Sequence, residues 1–205
     1  MLSSITPLGE RGRGNRWAVT AGAFALGALA GGATTGAVLG SIGQLLLDVL
    51  PADPVAAAPR LLVLAVAAGI GALADLGAGG LRVVSSRRQV DEAWIGRYRG
   101  WVYGAGFGYQ LGAGAVTVVT SAATWVALVA MALTGSTLAG MLVGLTFGAA
   151  RAAPLTLAAG IHTPIELTAV HRRNRSWEPV ARRSAVGGQV LVSLAAAVCA
   201  LVVWA

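Results

Sequence analysis

"WVYGAGFGYQLGAGAVTVVTSAATWVALVAMALTGSTLAGMLVGLTFGAA", residues 101–150, contains no charged side chain. About 20 apolar residues cross a hydrocarbon core of roughly 30 Å, so this run is too long for one membrane span. It needs a turn, and "LTGST" at 133–137 supplies one. Immediately afterwards comes Arg151, three residues before Pro154, and a further apolar stretch follows before Glu166.

The rest of the chain has the same character. Its 205 residues are 56% apolar and 11% charged, with a mean hydropathy of +0.73. A soluble domain carries about a quarter charged residues, so the composition predicts an integral membrane protein. The length leaves room for one membrane domain. The +7 charge does not argue for nucleic acid, because the basic residues, all arginine, stand mostly between apolar segments. Cys199 is the only cysteine, which excludes an internal disulfide or a cysteine-built metal site. Neither a metal nor a cofactor is expected.

Charge and turn residues bound five segments: about 17–50, 61–81, 101–133, 137–160 and 185–205. Residues 1–16 form an N-terminal arm, and 82–100 and 161–184 are the longer connections. The first segment follows Arg11, Arg13 and Arg16 but is too long for the apolar region of a signal peptide, so it reads as a retained span. Arginine clusters in the arm and in both long connections, against one in 51–60 and none in 134–136. The positive-inside tendency then puts the N-terminus in the cytoplasm and the C-terminus outside, in a bacterial inner (plasma) membrane. Trp17, Trp94, Trp101, Trp177 and Trp204 fall near segment ends, where aromatic belts belong.

Segments one and three are about 33 residues each, some 50 Å as continuous helix. They must tilt, project or break; splitting segment one into a re-entrant hairpin would give six spans. In the connections, Trp94, Ile95 and Tyr98 with Val90 recur at helical spacing, as in an amphipathic surface segment. Thr163, Pro164 and Glu166 fit the N-cap, N1 and N3 positions of a helix. His162 and His171 read as interfacial residues.

An internal repeat is visible. Trp17 aligns with Trp101, Leu26-Gly27-Ala28 with Leu111-Gly112-Ala113, and Arg87-Arg88 with Arg172-Arg173. It implies two long-plus-short hairpins followed by a fifth helix, an organisation that places binding sites at the repeat interface near mid-membrane. Gly32-Gly36-Gly40, Gly104-Gly108-Gly112 and Gly140-Gly144-Gly148 are each GxxxGxxxG stripes, which let helix backbones approach closely. Lipid is one partner; the stripes can serve contacts inside the chain, in a homo-oligomer or with a partner membrane protein.

Asp75 and Arg151 are the charges expected at depth. A lone charge at a helix centre costs about 2.5–3.5 kcal/mol even on the permissive insertion scale, so a mutual pair or a shared hydrated cavity is expected. Pro154 would free the carbonyl of Ala150 beside the guanidinium. Thr34, Thr35, Thr117, Thr120 and Gln110 complete the candidate pathway, although threonines in spans usually bond back to their own helix.

The stretch "YGAGFGYQLGAGAVTVVTSAATWVALVAMALTGSTLAGMLVGLTFGAARAAPL" resembles the fourth and fifth spans of the cytochrome c biogenesis/thiol–disulfide interchange transmembrane proteins, in the lysine-exporter-like superfamily. The likeness lies in a glycine-rich entry, a polar centre, a short "GS" turn and a following "G…G…P". It implies a helical scaffold able to host a mid-membrane site. The members resembled carry a cysteine beside prolines on each of two spans; here Val118-Val119 and Ala33-Thr34 stand instead, so electron transfer is not implied. The expectation is a small non-redox secondary transporter or exporter. The alternative is a non-catalytic membrane subunit or assembly factor. An enzyme is not expected, since no metal-ligand cluster or Ser–His pair is visible.

Overall fold

The computed structural model describes residues 5–49, 57–81, 83, 93–114 and 119–204. Among these the chain is all helical. Its elements are α1 (Pro7–Gly12), α2 (Trp17–Val49), α3 (Ala57–Leu76), α4 (Ala93–Arg97), α5 (Gly100–Ala113), α6 (Ala123–Leu133), α7 (Thr137–Ala152) and α8 (Pro164–Trp204), with a 3-10 turn at Ala153–Ala158 after α7. Four stretches are long and apolar enough to cross a membrane: α2, α3, α7 with its 3-10 extension, and α8.

The two long apolar segments behave differently. Segment one is a single 33-residue helix, so the re-entrant hairpin of the six-span alternative does not form. Segment three is broken: α5 ends at Gly114, whose φ of 77° suits a residue without Cβ, and α6 restarts at Ala123. The fifth segment forms the C-terminal part of a longer helix. α8 is one 41-residue helix that includes the arginine-rich connection. Its start forms the expected capping box: the Glu166 carboxylate accepts from the N–H groups of His162 (2.7 Å) and Thr163 (2.8 Å), and Thr163 Oγ1 accepts from the Glu166 N–H.

Two compact units make up the chain. The first comprises 1–35, 87–117 and 144–178. Its core is Ile5, Phe24, Tyr103, Phe107, Leu155, Ala158 and Ile161. The N-terminal arm is folded into this core: Leu8 N–H donates to the Ile161 carbonyl and Trp17 Nε1 to that of Ile5. Trp94 stacks on Phe107 at 6.1 Å, so this tryptophan is part of the packing; Val90 of the same stretch lies outside the described residues. Within the unit, a Cβ at Gly108 or Gly112 of α5 would strike the backbone of Phe24 or Ala28 of α2. A Cβ at Gly148 of α7 would strike Ala28, and Gly32 faces Gly144 in the same way.

The second unit comprises 36–86, 118–143 and 179–205. Here Gly36 and Gly40 of α2 lie against Gly140 of α7, and Gly43 against Ala132 of α6. Ser41 and Thr137 share a hydrogen bond of 2.8 Å. α8 is fixed to α3 by the Ser193 hydroxyl, which donates to the Ala65 carbonyl. All three glycine stripes therefore pack against other parts of the same chain.

Candidate functional site

Asp75 sits in the last turn of α3, which Gly77 closes with φ 71°. A carboxylate there faces the negative end of the helix dipole, so it needs donors. The second unit supplies three. The Ser121 hydroxyl (2.6 Å) and Gln189 Nε2 (2.7 Å) donate to Oδ2, and the Ala122 N–H (2.8 Å) donates to Oδ1. Ser121 and Ala122 precede α6, where the third segment restarts, so the carboxylate takes up amide hydrogen-bonding capacity at a helix N-terminus. From α8, Arg182 Nε donates to the Asp75 backbone carbonyl at 2.7 Å. Arg182, Gln189 and Ser193 share one face of α8, two turns and then one turn apart.

Gln189 is 4% exposed, and its Oε1 has no hydrogen-bond partner. Its Nε2, the donor end of the amide, is the atom that faces Asp75. A buried acceptor left unmet costs about 1–3 kcal/mol. Oε1 lies beside Gly71, where a Cβ would run into it and into Val126 Cγ2. Gly71, Ala122 and Val126 also line an apolar cavity of about 490 Å³, together with Ile70, Trp125 and Val129.

The first unit holds Arg151. Its Nε donates to the Leu111 carbonyl in the last turn of α5 (3.4 Å), and the guanidinium lies 5.9 Å from the Phe147 ring centre. With Pro154, Phe24 and Leu155 it lines a cavity of about 270 Å³. Pro154 is not inside an α-helix: α7 ends at Ala152 and the chain tightens into the 3-10 turn. Asp75 and Arg151 belong to different units, each with partners in its own.

The other candidate pathway residues are dispersed. Thr34 bonds back to the Ala30 carbonyl, as threonines in helices commonly do, and also shares a 2.9 Å bond with the Tyr109 hydroxyl. The Thr35 hydroxyl reaches the Ala113 carbonyl at 3.5 Å. Gln110 is half-buried, Thr120 is exposed, and Thr117 lies outside the described residues.

A buried network also escaped the sequence reading. Glu10 of α1 has no exposed surface. It accepts hydrogen bonds from the Tyr103 hydroxyl, Thr20 (2.9 Å) and Arg13 (2.6 Å), the last an ion pair. Burial pushes its pKa up, but those three donors outweigh it and hold the carboxyl below the usual glutamate range. One signal was present: Thr6-Pro7 opens α1 as Thr163-Pro164 opens α8, with Thr6 capping the Gly9 N–H at 3.0 Å. Ser121 and Gln189 were missed because neutral groups look unremarked beside charges, although Gln189 stands out as the amide of the last apolar segment.

Among the described residues, no three His, Cys, Asp or Glu side chains gather at one place. No family model, curated protein or solved structure matches the chain.

Proposed function

We propose that the chain is a small non-redox secondary transporter of the bacterial inner membrane, working through the polar centre around Asp75. One observation carries this reading. In an apolar helix, a carboxylate is held by a hydroxyl, an amide and the backbone N–H of a discontinuous segment, next to a cavity of about 490 Å³. Ionisable groups in membrane segments commonly mark ion or substrate paths, and broken helices are a recurring way to build such sites. The proposed topology is five crossings, with α5 and α6 together making the third, and with the N-terminus inside. The internal repeat belongs to this proposal, and Arg151, Pro154, Thr34, Thr35, Gln110, Thr117 and Thr120 enter it as separate polar positions along the path. The glycine stripes pack inside the chain, which weakens the alternative of a subunit gripping partner helices through them.

Flux in proteoliposomes of the purified chain tests the proposal. Solute uptake driven by an imposed pH or solute gradient is expected from the wild type and reduced at least 10-fold in Asp75→Asn. Equal flux in wild type, Asp75→Asn and empty liposomes, across cationic, anionic and neutral solutes, would refute transport.

A further inference from the structure

The cavity beside Arg151 combines a permanent positive charge with an apolar interior, and it belongs wholly to the first unit. Seven residues line its volume of about 270 Å³: Arg151 and six apolar ones, among them Phe24, Leu111 and Leu155. Arg151 Nε donates to the main-chain carbonyl of Leu111, which brings the charged head, and not only the alkyl stem, to that wall. The Phe147 ring, 5.9 Å away, holds it from another direction. A guanidinium carries five N–H donors in a planar fork, so it can serve a carbonyl and meet other acceptors as well. The walls differ in exposure. Ile5 of the N-terminal arm, Phe24 and Leu155 are buried. Ala150 and Pro154, about one turn apart where α7 tightens into its 3-10 extension, are exposed. The cavity therefore opens on the outer face of an apolar stretch long enough to cross a membrane.

We infer that this cavity takes an amphiphile with an oxyanion head, a phosphate or carboxylate carried on a hydrocarbon chain. The planar fork of Arg151 suits the oxygens of such a head. The six apolar residues suit the first carbons of the chain. A bare anion would shed its hydration in a mostly apolar interior, a cost that a hydrocarbon chain offsets through its own burial. An ammonium head would meet a like charge at the wall. Pockets that enclose a whole ligand run from about 300 Å³ upward, so this one holds the head and the start of the chain. The remainder leaves past Ala150 and Pro154, into lipid in the proposed topology. The site needs nothing from the Asp75 centre, so it goes beyond the transporter reading and stands without it.

Photolabelling of the full-length chain in phosphatidylcholine nanodiscs tests this assignment. Three probes share one chain with a diazirine near the head: an alkyl phosphate, an alkyl trimethylammonium and an alkanol. Peptide mapping is expected to place the alkyl phosphate on Leu111 and on the Ala150–Leu155 segment at least 10-fold above either other probe. Arg151→Lys, which keeps the charge without the fork, should retain part of that labelling. Arg151→Gln should lower it to the level of the alkanol. Ala150→Phe, at an exposed position, puts a ring into the opening and keeps the arginine. It should exclude all three probes from the cavity, which leaves the test decisive where Arg151→Gln fails to fold. Equal labelling by the three probes would overturn the assignment in favour of chance contact with lipid, as would an alkyl phosphate signal unchanged in Arg151→Gln or Ala150→Phe. Displacement of the alkyl phosphate by an equal concentration of inorganic phosphate would overturn the amphiphile in favour of a free anion.

Discussion

Glu10 has to hold a negative charge with no solvent around it, and three donors converge on it from the C-cap of α1, from α2 and from α5. Removing one partner of a buried ion pair leaves the rest uncompensated, which costs about 3–5 kcal/mol. Glu10→Ala is therefore expected to lower stability to chemical unfolding in detergent by that amount, and Tyr103→Phe by about 1.5–3 kcal/mol for one charge-assisted bond. The sign of the pH effect follows from the lowered pKa. The unfolded chain binds a proton near an ordinary glutamate value of about 4.3, the folded chain only at lower pH. The stabilisation is therefore complete above the unfolded value and is lost as pH falls through the folded one. Glu10→Gln should flatten that acid slope in unfolding measured between pH 3 and 7; an unchanged slope would place the acid sensitivity elsewhere. Thr6-Pro7 marks a helix start in the arm, but it does not reveal Glu10's burial, because the pairing with Tyr103 spans 93 positions. Asp75 is different. Its place in an apolar helix was readable from the sequence, but its partners were not: a hydroxyl, an amide and a main-chain N–H carry no charge pattern.

At the scale of helices, glycine decides which contacts exist, and the same substitution should change sign with position. Gly187 and Gly188 of α8 have nothing near a would-be Cβ, so Gly→Ala there should stabilise by roughly 0.5–1 kcal/mol through helix propensity. Gly108 and Gly148 meet backbone of α2, which cannot turn aside as a side chain can. Gly→Ala at those two should destabilise by about 1–3 kcal/mol, the usual cost of overpacking. Unfolding midpoints of the four single variants check this, and a uniform gain would mean that the helices are not in close contact. The stripes were legible as close-packing signals, but GxxxG does not say which helix it meets. Likewise, length alone could not tell segment one from segment three. In the first, "GGATTGAVLG" stays helical within α2. In the second, Gly114 leaves the helical region and a β-branched run, "VTVVT" at 116–120, follows before Ser121 and Ala122 find the Asp75 carboxylate. Five adjacent β-branched residues have poor helix propensity, and a side chain from α3 offers the restart an acceptor.

For the whole molecule, the proposed threading of the bilayer turns on the break in the third segment. α5 has 14 residues and α6 has 11. At 1.5 Å per residue these are about 21 and 17 Å, each short of a hydrocarbon core of roughly 30 Å. Together they can cross once, which puts the arginine-rich stretches 11–16, 82–99 and 172–183 on one side. If instead the chain entered with α5 and returned with α6, the turn at 134–136 would fall on the side of residue 99, and the five arginines of α8 would be carried across. The two threadings differ at two positions. In a Cys199→Ala background, Ala52→Cys, Ser136→Cys and Ser176→Cys should be tested with a membrane-impermeant maleimide on intact spheroplasts. A single crossing predicts labelling at 52 and 136 and protection at 176. A return loop predicts labelling at 52 and 176 and protection at 136. The charge distribution favours the first, because moving five guanidinium groups outward opposes the positive-inside tendency. Labelling of Ser176→Cys from outside would overturn both the topology and the use of arginine counts to assign it.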